Sequence, residues 1–311
     1  MTDYIHPDAA ALWAANIAAD DRVLVIGATG WFGRTATALM ASLPNPAMFV
    51  SSRARAFSAG STTATSVEWQ WDDVTAFQPT TIIDCAFLTR DLVSGMGLEH
   101  YVQANQQLTD NLVSAAALPS VRRVMTISSG AAVYPVDALT RPMHENPYGR
   151  LKREAEQQLS ELASQRGIAA VIARAWSMSG AFVIKPRHYA ISDMVVQASQ
   201  GAIAIAAPMP VYRRYASVED LLAVSLAVAS TATPVVDSGG PLLEMAQLAE
   251  AVAAAVNPAA VISRVPMGDA PANRYYADPA VWDAACATLG FTPAGLDDQL
   301  RVVMAGVLPP G

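Results

Sequence analysis

The chain has 311 residues, which is room for one large domain or a large domain with a small partner. Hydrophobic residues make up 52%, but alanine inflates the figure, and the longest apolar runs, such as 221–229, fall far short of the ~18 residues a membrane-spanning helix needs. A net charge of −7 without a basic cluster longer than Arg122-Arg123 or Arg213-Arg214 argues against nucleic acid as the main partner, and two distant cysteines with four scattered histidines argue against a disulfide framework or a metal site.

The first residues are acidic (Asp3, Asp8, Asp20, Asp21) and lack the order of a secretory signal, so a cytoplasmic protein is expected. Residues 8–18 read as a short helix capped near Pro7, within an N-terminal helical extension over 1–21. From Val23 onward strands and helices alternate. Strands are predicted over 23–26, 47–51, 67–71, 81–87, 123–128 and 169–174, and helices over 33–42, 101–117 and 148–166. Short apolar strands separated by helices predict an α/β fold of Rossmann type, a doubly wound parallel sheet covered on both faces. The polar segment 58–66 reads as an exposed loop.

The first strand ends in Gly27-Ala28-Thr29-Gly30-Trp31-Phe32-Gly33 and runs directly into a helix, the strand–turn–helix context of a dinucleotide site. Gly27 would make the turn, Gly30 would admit a pyrophosphate to the orphan N–H groups of the helix, and Gly33 would let the helix pack on its strand. Thr29, Trp31 and Phe32 border the same turn. At the end of the second strand stand Ser51, Ser52 and Arg53, where a site for NAD usually carries an acid that holds the ribose 2′-hydroxyl; the absence of an acid favours NADP(H) over NAD. Asp72 could reach the adenine edge, and Ala86 and Arg90 border the expected cofactor crevice, Arg90 as a substrate contact.

A helix opens at Asn146-Pro147, a favoured N-cap followed by a proline suited to the first turn, and Gly167 is placed to end it. Its first turns carry Tyr148 and Lys152, four residues apart and therefore on one face.

The glycine turn, Ser128-Ser129 and Tyr148-x-x-x-Lys152 together resemble the extended short-chain dehydrogenase/reductase family, the NAD(P)-dependent epimerases, dehydratases and reductases. Asn105, the stretch 173–180 and the stretch 213–220 add to the likeness, which spans roughly residues 22–225. The resemblance implies a catalytic Tyr148 that gives or takes the proton of the substrate oxygen, with Lys152 lowering its pKa and holding the nicotinamide ribose. A serine would polarise the substrate oxygen, Ser129 first and Ser128 second. Ser177 stands where the family usually has Asn and Ala181 where it has Pro, and the interval from Ser129 to Tyr148 is short for the family. Arg213 matches the arginine that nucleotide-sugar members place on a diphosphate.

The expected function is an NADP(H)-dependent reductase acting on a carbonyl of a nucleotide-linked 4-keto sugar, with a sugar epimerase or dehydratase as the alternative and a non-catalytic NADP(H)-sensing protein as the alternative of another class. A dehydratase would want an acidic pair after the catalytic serine, and Gly130-Ala131-Ala132 offers none. A Rossmann domain over 22–175, with a return segment at about 210–232, and a substrate domain over 176–209 and 233–311 are expected. A homodimer through the helices 101–117 and 148–166 is implied by the family.

Overall fold

The computed structural model describes residues 4–135 and 140–308. The first three residues of the expected N-terminal extension, Asp3 among them, lie outside the described residues. The strands are, in chain order, Val23–Ile26 (β1), Ala47–Ser51 (β2), Arg55–Ala59 (β3), Thr62–Glu68 (β4), Thr81–Asp84 (β5), Arg123–Ser129 (β6) and Ala169–Ala175 (β7). Ser177–Ser179 (β8), Ala202–Ile205 (β9), Val211–Ser217 (β10), Val235–Asp237 (β11), Leu242–Glu244 (β12), Val261–Arg264 (β13) and Asn273–Tyr275 (β14) follow. One sheet runs β11-β7-β6-β5-β1-β2-β4-β3 and is parallel except for the β3–β4 pair. Its central strands β1 and β5 are buried along their whole length, which is why each reads as an unbroken apolar run rather than an alternating one. The chain leaves β1 toward β2 on one side and later builds β5 on the other, so a crevice opens at the carboxyl ends of β1 and β5.

Helices Pro7–Ala15, Trp31–Met40 and Val218–Val228 cover one face around Trp13, Leu39 and Leu222. Helices Leu98–Ala116 and Pro147–Arg166 cover the other around Leu112 and Leu159. A second core, including Val195, Leu248, Val252 and Val303, fills the C-terminal part between helices Ala190–Ser199, Met245–Val256 and Leu296–Val307.

Three expectations need correcting. The segment 58–66 is not a loop but most of a hairpin in which Ala59 pairs with Thr62 across Gly60-Ser61, because Gly60 supplies the positive φ of +65° that the tight turn needs. Within the expected return segment of 210–232, the helix Val218–Val228 packs on the large sheet while β10 builds the small sheet with β8, β12 and β14, and the strand that returns to the large sheet is β11, just beyond the segment. β10 carries Arg213-Arg214 and β11 is only Val235-Val236-Asp237, so neither has the unbroken apolar run of the central strands, and pairing partners decide which sheet each joins. The strand expected over 81–87 stops at Asp84, whose carboxylate accepts the amide of Ala86 at 3.2 Å and turns the chain out of the sheet.

No helix among the described residues is long and apolar enough to cross a membrane. The exposed large apolar side chains include Ile184, Val261, Met267 and Val281; among the described residues none belongs to Leu98–Ala116 or Pro147–Arg166, the helices expected to form a dimer face.

Candidate active site

At the carboxyl end of β1 the backbone is folded too tightly for side chains. Gly27 has φ +78°, and a Cβ there would stand 2.7 Å from the amide nitrogen of Ala86. At Gly33 a Cβ would stand 2.1 Å from the Gly27 carbonyl, so the helix Trp31–Met40 can sit on the turn only because both positions are glycine. Gly30 is the N-cap, and this side-chain-free cradle at the positive end of a helix fits the pyrophosphate of a dinucleotide. Thr29 is buried beneath it, and Trp31 and Phe32 line the adjoining cleft, with Trp31 edge-on to Tyr189 at 4.7 Å between ring centroids.

The end of β2 divides its residues. Ser51 does not face the crevice as a free hydroxyl: it donates to the Arg53 carbonyl at 2.7 Å and shares a 2.8 Å bond with Ser66, which braces the turn onto β4. Ser52 and Arg53 are exposed. Arg34 is pinned nearby by the carbonyls of Thr29 and Ser58 at 3.1 and 2.9 Å, and burial together with the charge of Arg55 lowers its pKa. The edge is therefore cationic. Asp72 lies exposed in the first turn of helix Trp71–Phe77.

The helix Pro147–Arg166 starts where Asn146 caps it, its Oδ1 accepting the Gly149 amide at 3.3 Å. Gly149 is packed against the carbonyl of Ala131, which a Cβ would approach to 2.3 Å, and this close passage brings Tyr148 to the end of β6. There the Ser129 hydroxyl lines the same cleft as Tyr148 and Tyr275 and accepts the Ala131 amide at 3.2 Å. Ser128 is committed elsewhere: buried, it donates to Glu156 at 2.6 Å, and Glu156 also holds Arg174 through two bonds of 2.7 and 2.6 Å. The hydroxyl available to a substrate beside Tyr148 is that of Ser129.

Lys152 is buried and its ammonium donates to the Ile127 carbonyl at 2.6 Å, with Nζ 3.8 Å from the ring centroid of Phe87. Burial lowers its pKa to about 8, opposed by Asp84, Cys85 and Glu156. Burial raises the Tyr148 phenol above its ordinary value, opposed by the bond to Ser129. The expected lowering of Tyr148 by Lys152 is thus absent from this state, because the ammonium is turned to a carbonyl and an aromatic face. Burial therefore favours the protonated form of the Tyr148 phenol.

A cleft of ≈ 860 Å³ joins these groups. Gly30, Trp31 and Phe32 stand at one end; Ser129, Tyr148 and Lys152 lie in its floor; Ser177, Arg213 and Tyr275 belong to the opposite wall. Arg90 does not line it. Its neighbours Thr89 and Asp91 do, and Asp91 pairs with Lys185 across the cleft at 2.5 Å. Asn105, buried in helix Leu98–Ala116, fixes this border by accepting the Leu88 amide at 2.8 Å. Trp176 belongs to the stretch 173–180, whereas no motif in the sequence marks Phe87 or Tyr275. Tyr275 is carried by β14, a three-residue strand in a Pro- and Ala-rich stretch, and its only signal is the aromatic pair Tyr275-Tyr276.

The sequence model described as the NAD dependent epimerase/dehydratase family matches residues 23–237. Among curated proteins no significant match is found. Solved structures share the fold at low identity. An epimerase from Methanothermobacter thermautotrophicus superimposes with a TM-score of 0.71 at 18% identity, over 96% of both chains. The UDP-glucose 4-epimerase of Thermus thermophilus, solved with NAD, gives 0.69 at 19%, over 91% of this chain and 98% of that one. The dTDP-glucose 4,6-dehydratase DesIV of Streptomyces venezuelae, solved with NAD, gives 0.66 at 17%, over 91% and 95%.

Proposed function

Since the chain belongs to the NAD dependent epimerase/dehydratase family, we propose that it catalyses nicotinamide-dependent hydride transfer at a carbinol or carbonyl carbon of a nucleotide-linked sugar, in the manner of an epimerase. The observation that carries this reading is the meeting of Tyr148 and Ser129 in one cleft with Lys152 and the glycine turn. Gly27, Gly30 and Gly33 would seat the pyrophosphate, and Lys152 would take the nicotinamide ribose. The chemistry supplied by the bound nicotinamide is hydride exchange with the substrate carbon.

The protein's own part is proton management. Ser129 donates a hydrogen bond to the reacting oxygen, and Tyr148 Oη gives that oxygen its proton or removes it. Epimerase is favoured over dehydratase because the turn after Ser129 is Gly130-Ala131-Ala132, with no acid to expel a hydroxyl. The sugar-nucleotide class is supported by the fold neighbours and by Arg213 in the cleft wall.

For the cofactor we infer NADP(H), although the solved neighbours named above carry NAD. Exposed Ser52 and Arg53, with Arg34 and Arg55 beside them, offer cations and hydroxyls to a 2′-phosphate and no carboxylate to a 2′-hydroxyl. That same edge favours a second reading, net reduction of a keto sugar. Incubation with UDP-glucose or UDP-galactose and either nicotinamide, followed by NMR of the sugar, tests both: interconversion of the two sugars supports the epimerase. Consumption of NADPH with a keto sugar and no interconversion supports the reductase. Neither result, together with unchanged behaviour of Tyr148→Phe, overturns the enzyme reading.

A further inference from the structure

The two cations in the walls of the cleft, Lys185 and Arg213, are held in opposite ways. Lys185 meets a carboxylate, Asp91, and its charge is spent inside the protein. Arg213 is half-buried, burial lowers its pKa, and the groups that oppose this are phenols, Tyr215, Tyr275 and Tyr134, rather than a carboxylate. Its anchors are neutral. Nη1 donates to Asn273 Oδ1 at 2.9 Å, to the Tyr212 carbonyl at 2.8 Å and more weakly to the Asn273 carbonyl at 3.4 Å. The guanidinium carbon stands 5.5 Å from the ring centroid of Tyr275. Among the described residues Nε and Nη2 make no hydrogen bond to the protein.

This arrangement comes from one strand pairing. β10 and β14 run parallel with Val211 opposite Asn273 and Arg213 opposite Tyr275, so the first and last residues of a three-residue strand clasp the same arginine. A planar guanidinium held by one nitrogen presents its other edge in a fixed direction, and a cation anchored only by neutral oxygens keeps its full charge for a ligand. A half-buried, uncompensated charge is costly unless an anion completes it.

We propose that Asn273 is the positioning residue of an anion site in this cleft: it fixes Nη1 of Arg213 without neutralising it, so that Nε and Nη2 receive the diphosphate of a nucleotide-linked substrate. This rests on the nucleotide-sugar reading above and adds the residue that makes the arginine available. Aspartate at 273 would keep the shape and the hydrogen bond while spending the charge as Asp91 does for Lys185.

The test is calorimetric titration of the full chain, wild type and Asn273→Asp, with UDP and with uridine, after thermal unfolding has shown both to be folded. The expected result is a loss of at least about tenfold in UDP affinity for Asn273→Asp with uridine affinity unchanged, and a weaker salt dependence of UDP binding in the variant. Asn273→Ala, which leaves the charge but frees the guanidinium, should lose less than the aspartate. UDP binding equal in wild type and Asn273→Asp, or equal losses for UDP and uridine, overturns the proposal and leaves the nucleotide-sugar reading standing. Failure of the wild type to bind UDP overturns both.

Discussion

The ring of Phe87 covers the ammonium of Lys152, with 3.8 Å between Nζ and the ring centroid, and the same ring meets Tyr148 edge-on at 5.7 Å. The aromatic face thus stands where a ribose held by Lys152 would need access to the charge. A desolvated cation–π contact is worth about 1–2 kcal/mol, and binding through Lys152 must exchange it for hydroxyl contacts. Phe87→Ala should therefore tighten binding of the reduced nicotinamide cofactor by roughly 5- to 30-fold, measured by titrating nicotinamide fluorescence. Weaker binding in the variant would mean that the ring supports the cofactor instead.

The serines separate by the work each hydroxyl does. Tyr148→Phe should cost roughly 10²- to 10⁴-fold in kcat, and Ser129→Ala roughly 10²-fold, because in the proposed mechanism both groups would touch the reacting oxygen. Ser128→Ala removes a donor from Glu156 and should lower stability by about 1–3 kcal/mol while leaving kcat within a few-fold. Steady-state kinetics beside thermal unfolding distinguishes the two serines; equal kinetic losses would refute the assignment.

Asp84 and Lys152 line one small cavity beneath the cleft, and Asp84 is held by Thr126 at 2.7 Å and the Ala86 amide. Lys152 has a pKa of about 8, which its neighbour Asp84 holds up against burial. Activity that needs the ammonium should fall as pH rises through about 8. Asp84→Asn should move that alkaline limb to lower pH, read from kcat/KM for the cofactor across the pH range. A purely structural role for Asp84 would lower stability and leave the limb in place.

Glu219 lies buried beside Asp220 in helix Val218–Val228, with no hydrogen-bond partner for its carboxylate oxygens among the described residues. Burial pushes Glu219 up to about 8 and Asp220 to about 6; the groups around them are His6, 4.0 Å from Asp220, Asp8, Ser217 and the Ala294 amide. The folded state keeps these acids protonated where the unfolded chain has ionised them, so the unfolded state binds fewer protons and stability falls as pH rises from about 4.5 to about 8. The slope amounts to a few kcal/mol. Glu219→Gln should raise the melting temperature at about pH 8 and change it little at about pH 4.5, and an unchanged pH dependence would refute this.

Local chemistry made much of this protein legible in its residues. The central strands announced themselves because a parallel sheet buried on both faces needs continuous apolar runs, and the glycine turn because Gly27 and Gly33 leave no room for a Cβ. Asn146-Pro147 and Gly167 marked a helix whose ends match the structure because capping depends on neighbours within one turn. That helix also set Tyr148 and Lys152 on one face, whatever surrounds them.

Where charge and hydroxyls are spent depends on contacts between distant segments. Ser128 and Ser129 are adjacent and identical in type, yet strand alternation sends one to Glu156 below the sheet and the other to Tyr148 in the cleft. Phe87 reaches Lys152 and Asn273 reaches Arg213 across chain separations that no periodicity encodes. The glycine turn and the Tyr–Lys helix face were legible in the residues alone, because both arise within a few consecutive positions. Which hydroxyl is free, which cation is uncompensated and what covers the lysine were decided by packing between distant segments, where burial and partner choice set the energy of each polar group.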